Sequence, residues 1–143
     1  MILKQTGETP GSPDGSRMRT VSYDILADGT RVGTCELRPE VTWATPLSGQ
    51  IAYTVFPPWR GRGYGTEAVR LLCREACRRG MAGLTATCRP ENAASRRTLE
   101  KAGARLAGIR RVPPAHPLRR AGCDRLCAYV LPLGAAENEE EGL

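Results

Sequence analysis

The chain is 143 residues long, 41% apolar, and carries a formal net charge of +6. That length suits one domain around a single core, and no apolar run approaches the roughly 20 residues of a membrane span. Met1-Ile2-Leu3-Lys4 runs straight into polar sequence with no signal-peptide pattern, so a cytoplasmic protein with no membrane partner is expected.

Residues 1–17, rich in Gly, Pro and Ser, read as a flexible lead-in. A domain is expected over 18–132. Thr20 to Leu26 alternates as a strand should, Ala27-Asp28-Gly29-Thr30 carries the Asp-Gly hairpin signal, and Arg31 to Leu37 returns as the partner. Residues 38–49 form a loop with Pro39, Trp43, Pro46 and Gly49. A third strand over 50–56 leads into a glycine-rich turn, then a helix over about 65–79 with Val69, Leu72, Cys73 and Ala76 at helical spacing. A short strand, 83–88, follows Gly80. Asn92 is placed to cap a second helix that Gly103 ends. Residues 104–110 and 124–131 suit a final strand pair, separated by the stiff Pro113-Pro114-Ala115-His116-Pro117. The acidic end, 133–143, reads as a disordered tail.

The basic residues are nearly all arginine, with Lys4 and Lys101 the only lysines. Such a balance attracts a polyanion, yet no nucleic-acid motif accompanies it. Cys73 and Cys77, and Cys123 and Cys127, are spaced four apart. With no Cys-x-x-Cys and His116 the only histidine, the cysteines read as reduced, mostly buried thiols rather than metal ligands.

The informative segment is Arg60-Gly61-Arg62-Gly63-Tyr64-Gly65, between a strand and a helix. A glycine-rich turn opening a helix aims unpaired N–H groups outward at the positive end of the helix dipole. The ligand for such a turn is a phosphate or pyrophosphate. No Gly-Lys-Ser/Thr follows, and the spacing is not Gly-x-Gly-x-x-Gly, so neither a mononucleotide loop nor a dinucleotide fingerprint is present.

Two blocks carry a resemblance. Arg60-x-x-Gly63-x-Gly65 after Val55-Phe56-Pro57 resembles the phosphate loop of the GNAT N-acetyltransferases. Glu91-Asn92-Ala93-Ala94-Ser95, continuing to Glu100-Lys101-Ala102-Gly103, resembles the RimJ/RimL-like branch, the ribosomal-protein N-terminal acetyltransferases. The resemblance covers roughly residues 18–131. It implies an α+β (α/β) sandwich whose mixed, mostly antiparallel sheet splays at one parallel strand pair, here with a shortened N-terminus. It implies acetyl-CoA as cosubstrate, without a metal, and a primary amine as acceptor, on a small molecule or a protein N-terminus.

On this sequence the resemblance assigns the pantetheine arm to the exposed backbone of Tyr53, Thr54, Val55 and Phe56. The pyrophosphate falls to the amides of Arg60, Gly61, Arg62, Gly63, Tyr64, Gly65 and Thr66, with the Arg60 and Arg62 side chains adding charge. Asn92 reaches the pantetheine amide. A backbone N–H near Phe56 receives the developing oxyanion. The usual helix tyrosine acid is replaced by Leu99, and Ser95 is the alternative donor to the leaving sulfur. Gln50 stands where a carboxylate base is often found, leaving Glu36 and Glu40 as candidate bases. Relatives carry an extra strand and helices before the hairpin, walling the acceptor pocket. Their expected absence here leaves an open acceptor side, completed by loops 38–49 and 111–122, with Trp43 and Trp59 as surface candidates, or by a second subunit in a homodimer. The competing expectation is a non-catalytic acyl-CoA-binding protein of the same fold.

Overall fold

A computed structural model describes residues 1–133. The acidic tail lies almost wholly outside the described residues. Two antiparallel sheets share the core. The first has the order β1 (Ile2–Thr9), β2 (Thr20–Ala27), β3 (Thr30–Leu37), β4 (Ile51–Val55). The second has the order β5 (Gly83–Cys88), β7 (Arg125–Pro132), β6 (Arg105–Arg111). A short helix α1 (Thr45–Ser48) interrupts the loop before β4. Helix α2 (Tyr64–Arg78) links β4 to β5, α3 (Ala93–Lys101) links β5 to β6, and the short α4 (Pro117–Arg120) precedes β7. This is the expected mixed α+β architecture.

The β2–β3 hairpin follows directly from its sequence. Ala27 pairs with Thr30 across a two-residue loop in which Asp28 has φ 49° and Gly29 φ 79°. Two successive positive φ values match the right-handed twist of the flanking strands, and Asp-Gly is the pair that tolerates them. Val21, Tyr23 and Ile25 are buried on alternate positions, so Ser22 and Asp24 face outward. Helix α2 lays Ala68, Val69, Leu72 and Ala76 into the same core. Each buried Leu or Val there contributes about 1.5–3 kcal/mol. Gly80, at φ 80°, ends α2, and Met81 N–H donates to the Ala76 carbonyl at 3.1 Å to close the cap. At Gly33 the β3 and β4 backbones nearly touch: an added Cβ would lie 2.2 Å from the Thr54 carbonyl oxygen.

One expectation is corrected at the N-terminus. Residues 1–17, read as a flexible lead-in, contain β1, which pairs with β2 from Ile2↔Leu26 to Thr9↔Thr20. Its pattern shows no alternation because nearly every residue is exposed. Pairing rests instead on backbone bonds, on Met1 and Leu3 packed against the core, and on Arg19, whose guanidinium bridges Glu8 on β1 to Glu40 in the loop after β3. The extra strand implied by the resemblance is therefore present. Residues 10–19, joining β1 to β2, hold turns and no helix. Ser12, Asp14 and Ser16 hydrogen-bond one another there, and their hydroxyls hold the Asp14 carboxyl down at about 2.

Candidate functional site

The two sheets meet at β4 and β5, and Gln50 decides where they part. Its N–H donates to the Thr85 carbonyl at 2.7 Å, and its side-chain Oε1 accepts from the Thr85 N–H at 3.0 Å. Its Nε2 reaches the Arg38 carbonyl at 3.4 Å, and Gln50 is only 3% exposed. One residue thus makes both ladder bonds to β5, and among the described residues no ladder pairing continues along β4 and β5. Gln50 is the clip at the head of the splay.

Beyond the clip, β4 has one edge on β3 and one on the gap. Arg38 N–H donates to the Gln50 carbonyl, and Phe56 N–H donates to the Val32 carbonyl at 2.9 Å. Antiparallel geometry then turns the Gln50 carbonyl, both main-chain groups of 52 and 54, and the Phe56 N–H toward β3, and the main-chain groups of 51, 53 and 55 toward the gap. Of the four residues assigned to an exposed backbone, Tyr53 and Val55 present theirs to the gap; Thr54 and Phe56 do not. The Phe56 N–H is committed to Val32 and is not an oxyanion donor. The Val55 carbonyl is taken by the Arg60 side chain, whose Nε donates to it at 2.9 Å.

A cleft of about 500 Å³ runs from this gap to the glycine turn. Arg60, Gly61, Gly63, Tyr64, Gly65 and Thr66 of the turn line it. Gly61 and Gly63 both sit at φ 80°, and an added Cβ at either would meet nothing within 4 Å. Space does not require glycine there; the left-handed backbone does. Gly63 is the N-cap of α2 and makes no side-chain cap bond. The first N–H groups of α2 consequently open into the cleft, a ready anion site. Arg62 is not part of the lining: its guanidinium stacks over the Trp59 ring at 5.2 Å.

Helix α3 supplies the facing wall. Asn92 caps it, accepting from the Ser95 N–H through Oδ1 at 3.1 Å, which leaves its amide NH₂ for a ligand. Ser95 Oγ lies 3.0 Å from Tyr53 Oη. Arg97, Thr98 and Lys101 line the same wall. Sequence reasoning missed these three, although positions 94, 97, 98 and 101 recur at helical spacing. On the other side of the splay a pocket of about 270 Å³ is lined by Arg38, Ser48, Ile51, Ala86, Thr87 and Cys88, among others. Tyr53, Asn92 and Ser95 border both spaces. Burial pushes the Tyr53 phenol and the Cys88 thiol above their usual range, so both stay protonated at neutral pH.

The two proposed bases do not reach this point. Glu36 lies on the outer face of the first sheet, among Ser22, Asp24 and Thr34, and pairs with Arg38 at 3.2 Å. Glu40 pairs with Arg19 at 2.7 Å, whose hydrogen bonds hold its carboxyl below the usual range. Leu99 is 1% exposed and belongs to the core. Trp43 Nε1 donates to the Asp14 carbonyl at 2.7 Å, pinning the β1–β2 connection, while Trp59 lines the cleft.

No curated protein matches the chain by sequence. Among solved structures, it is similar to the aminoglycoside acetyltransferase AAC(6′)-Ib in complex with coenzyme A and kanamycin (TM-score 0.63, 18% identity, covering 79% of this chain and 66% of that one). It is also similar to the microcin C7 self-immunity acetyltransferase MccE with acetyl-CoA and AMP (TM-score 0.62, 20% identity, 80% and 61%). A third is yncA, a putative acetyltransferase from Salmonella typhimurium with acetyl-CoA (TM-score 0.62, 19% identity, 81% and 66%). The chain thus spans 61–66% of the length of these proteins, and the likeness is one of fold. The model of the acetyltransferase (GNAT) domain family matches residues 11–105, which contain the facing strands β4 and β5, the glycine turn and α3, and the chain belongs to that family.

Proposed function

We propose that the protein is an N-acyltransferase that moves an acetyl group from acetyl-CoA to a primary amine. The carrying observation is the continuous path from the glycine turn, past Asn92, to the Tyr53–Ser95 hydroxyl pair and the second pocket. The α2 N-terminus and the amides of Arg60 to Thr66 hold the pyrophosphate. Arg97 and Lys101 add positive charge along the same cleft. The gap-facing main chain of Tyr53 and Val55 and the Asn92 amide take the pantetheine arm. The amine enters through the smaller pocket.

Among the described residues no carboxylate lines that pocket, so in this reading the ammonium's proton leaves through water, and catalysis rests largely on holding amine and thioester in line. The acceptors to test are an aminoglycoside, a free amino acid and a peptide N-terminus, the last in keeping with the RimJ/RimL-like segment at Asn92 to Gly103. The protein is cytoplasmic and homodimeric in this reading. A second reading, an acyl-CoA binder without turnover, is favoured by the burial of Leu99 where a tyrosine acid is usual. Thermal shift with acetyl-CoA, followed by free-thiol release with the amine panel, tests both. A shift with thiol release supports the transferase, a shift without release supports the binder, and no shift overturns both.

A further inference from the structure

We propose that Tyr53, on β4, and Ser95, on α3, form a two-hydroxyl proton relay to the leaving sulfur, with Tyr53 supplying the proton. The inference rests on the transferase reading above. Expulsion of a thiolate is assisted by an acid at the sulfur. Ser95 alone is a weak one, because an aliphatic hydroxyl surrenders its proton only when another group replaces it. The replacement stands 3.0 Å away, at Tyr53 Oη.

Three observations place the pair where the chemistry needs it. Tyr53 and Ser95 both border the cleft that receives the thioester and the pocket that receives the amine. The Tyr53 ring is held fast: it packs against the main core, and an added Cβ at Gly65 would touch its edge at 3.7 Å. The Ser95 backbone is fixed by the Asn92 cap, so its hydroxyl is aimed by the helix start itself. Burial keeps the phenol protonated across the neutral range, as a donor requires.

The step balances as follows. The amine nitrogen attacks the carbonyl carbon and gives a proton to water. The C–S bond then breaks and sulfur leaves with the bonding pair. Ser95 passes its hydroxyl proton to the sulfur, Tyr53 passes its proton to Ser95, and the phenolate recovers a proton from solvent.

The test uses the full-length protein with Tyr53→Phe, Ser95→Ala and the double variant. Tyr53→Phe keeps the ring and is expected to lower kcat about 10²-fold, the low end of general-acid contributions, with the Kd for CoA changed less than about 2-fold. The double variant should be no slower than Ser95→Ala alone, because one relay is broken only once; independent packing losses would multiply. A second readout needs no turnover. The thiol of bound CoA is titrated by ultraviolet thiolate absorbance against the desulfo-CoA complex. In wild type it should ionise at lower pH than in Tyr53→Phe, since the hydroxyl pair stabilises the thiolate. An active wild type whose kcat and bound-thiol titration are both unmoved by Tyr53→Phe overturns the relay and leaves the transferase reading standing. A wild type that binds CoA but releases no thiol overturns the transferase reading, and the titration then decides the hydroxyl pair by itself.

Discussion

Gln50 offers the sharpest test of how the cleft is built. In Gln50→Ala the Thr85 N–H loses its side-chain acceptor and the Arg38 carbonyl its donor, at a site only 3% exposed. An orphaned part-buried N–H costs about 1–3 kcal/mol, and the 3.4 Å bond to Arg38 contributes at the low end. Loss of one buried methylene adds about 0.8 kcal/mol at most. The sum, about 2–4 kcal/mol, corresponds to a fall in Tm of roughly 4–16 °C for a domain of this size. Gln50→Glu adds a check on mechanism. Protonated, it reproduces both bonds; ionised, it faces the Arg38 carbonyl without a donor. Burial raises its folded pKa above the unfolded value, so the variant should match wild type in acid and fall behind as pH rises above about 4.3. Differential scanning calorimetry across pH reads both effects. A Gln50→Ala Tm within about 1 °C of wild type would show that the splay is held elsewhere.

Gly63→Val should leave the fold intact and abolish the thermal shift given by acetyl-CoA, since a β-branched residue tolerates neither φ 80° nor close phosphate approach; a persisting shift removes the phosphate-turn assignment. Asn92→Ala should cost about 1 kcal/mol through the lost cap and also weaken CoA binding, measured by denaturant unfolding and calorimetric titration. Arg97→Ala and Lys101→Ala should each raise the Kd for acetyl-CoA about 2- to 5-fold and flatten its salt dependence, an effect size set by exposed charge pairs of about 0.5–1 kcal/mol. Light scattering should give a dimer mass, with an interface through the β2–β3 hairpin or the last strands, where Leu106, Ile109 and Val130 stand exposed. A monomer at micromolar concentration refutes that assembly.

What could be read from the sequence was local. Asp28-Gly29 and the glycines of the turn at 61–63 act through their own backbone, the Asn92 cap through a side chain bonded three residues on, and all lie where local chemistry predicts. What could not be read depends on distant partners. Gln50 looks like a missing base until its contact with Thr85, 35 positions on, shows it to be a clip. Glu36 fails as a base because its carboxylate pairs with Arg38 and lines neither the cleft nor the smaller pocket, a contact that strand spacing does not show. Strand β1 is invisible in the sequence because its exposed residues carry no apolar period, and its Glu8–Arg19 anchor joins a strand charge to one in the turn-rich connection before β2. In the sequence Tyr53 shows only its backbone, because its hydroxyl meets Ser95, 42 positions on, across the gap from α3.

The arginine that closes over β4 makes occupancy of this gap a swap rather than an addition. Arg60 already holds the Val55 carbonyl at 2.9 Å, so an extended ligand that takes that oxygen along the same approach displaces a charged side chain. Eviction frees a guanidinium beside the glycine turn, the phosphate site of the proposed function. The two ends of one long ligand are thereby linked through a single residue. A fragment with the arm but no phosphate pays for the eviction without using the freed charge, and a fragment with phosphate alone leaves the arginine in place. Arg60→Ala should therefore favour the phosphate-free fragment and penalise the intact molecule, so that preference for length is built into one rotamer change.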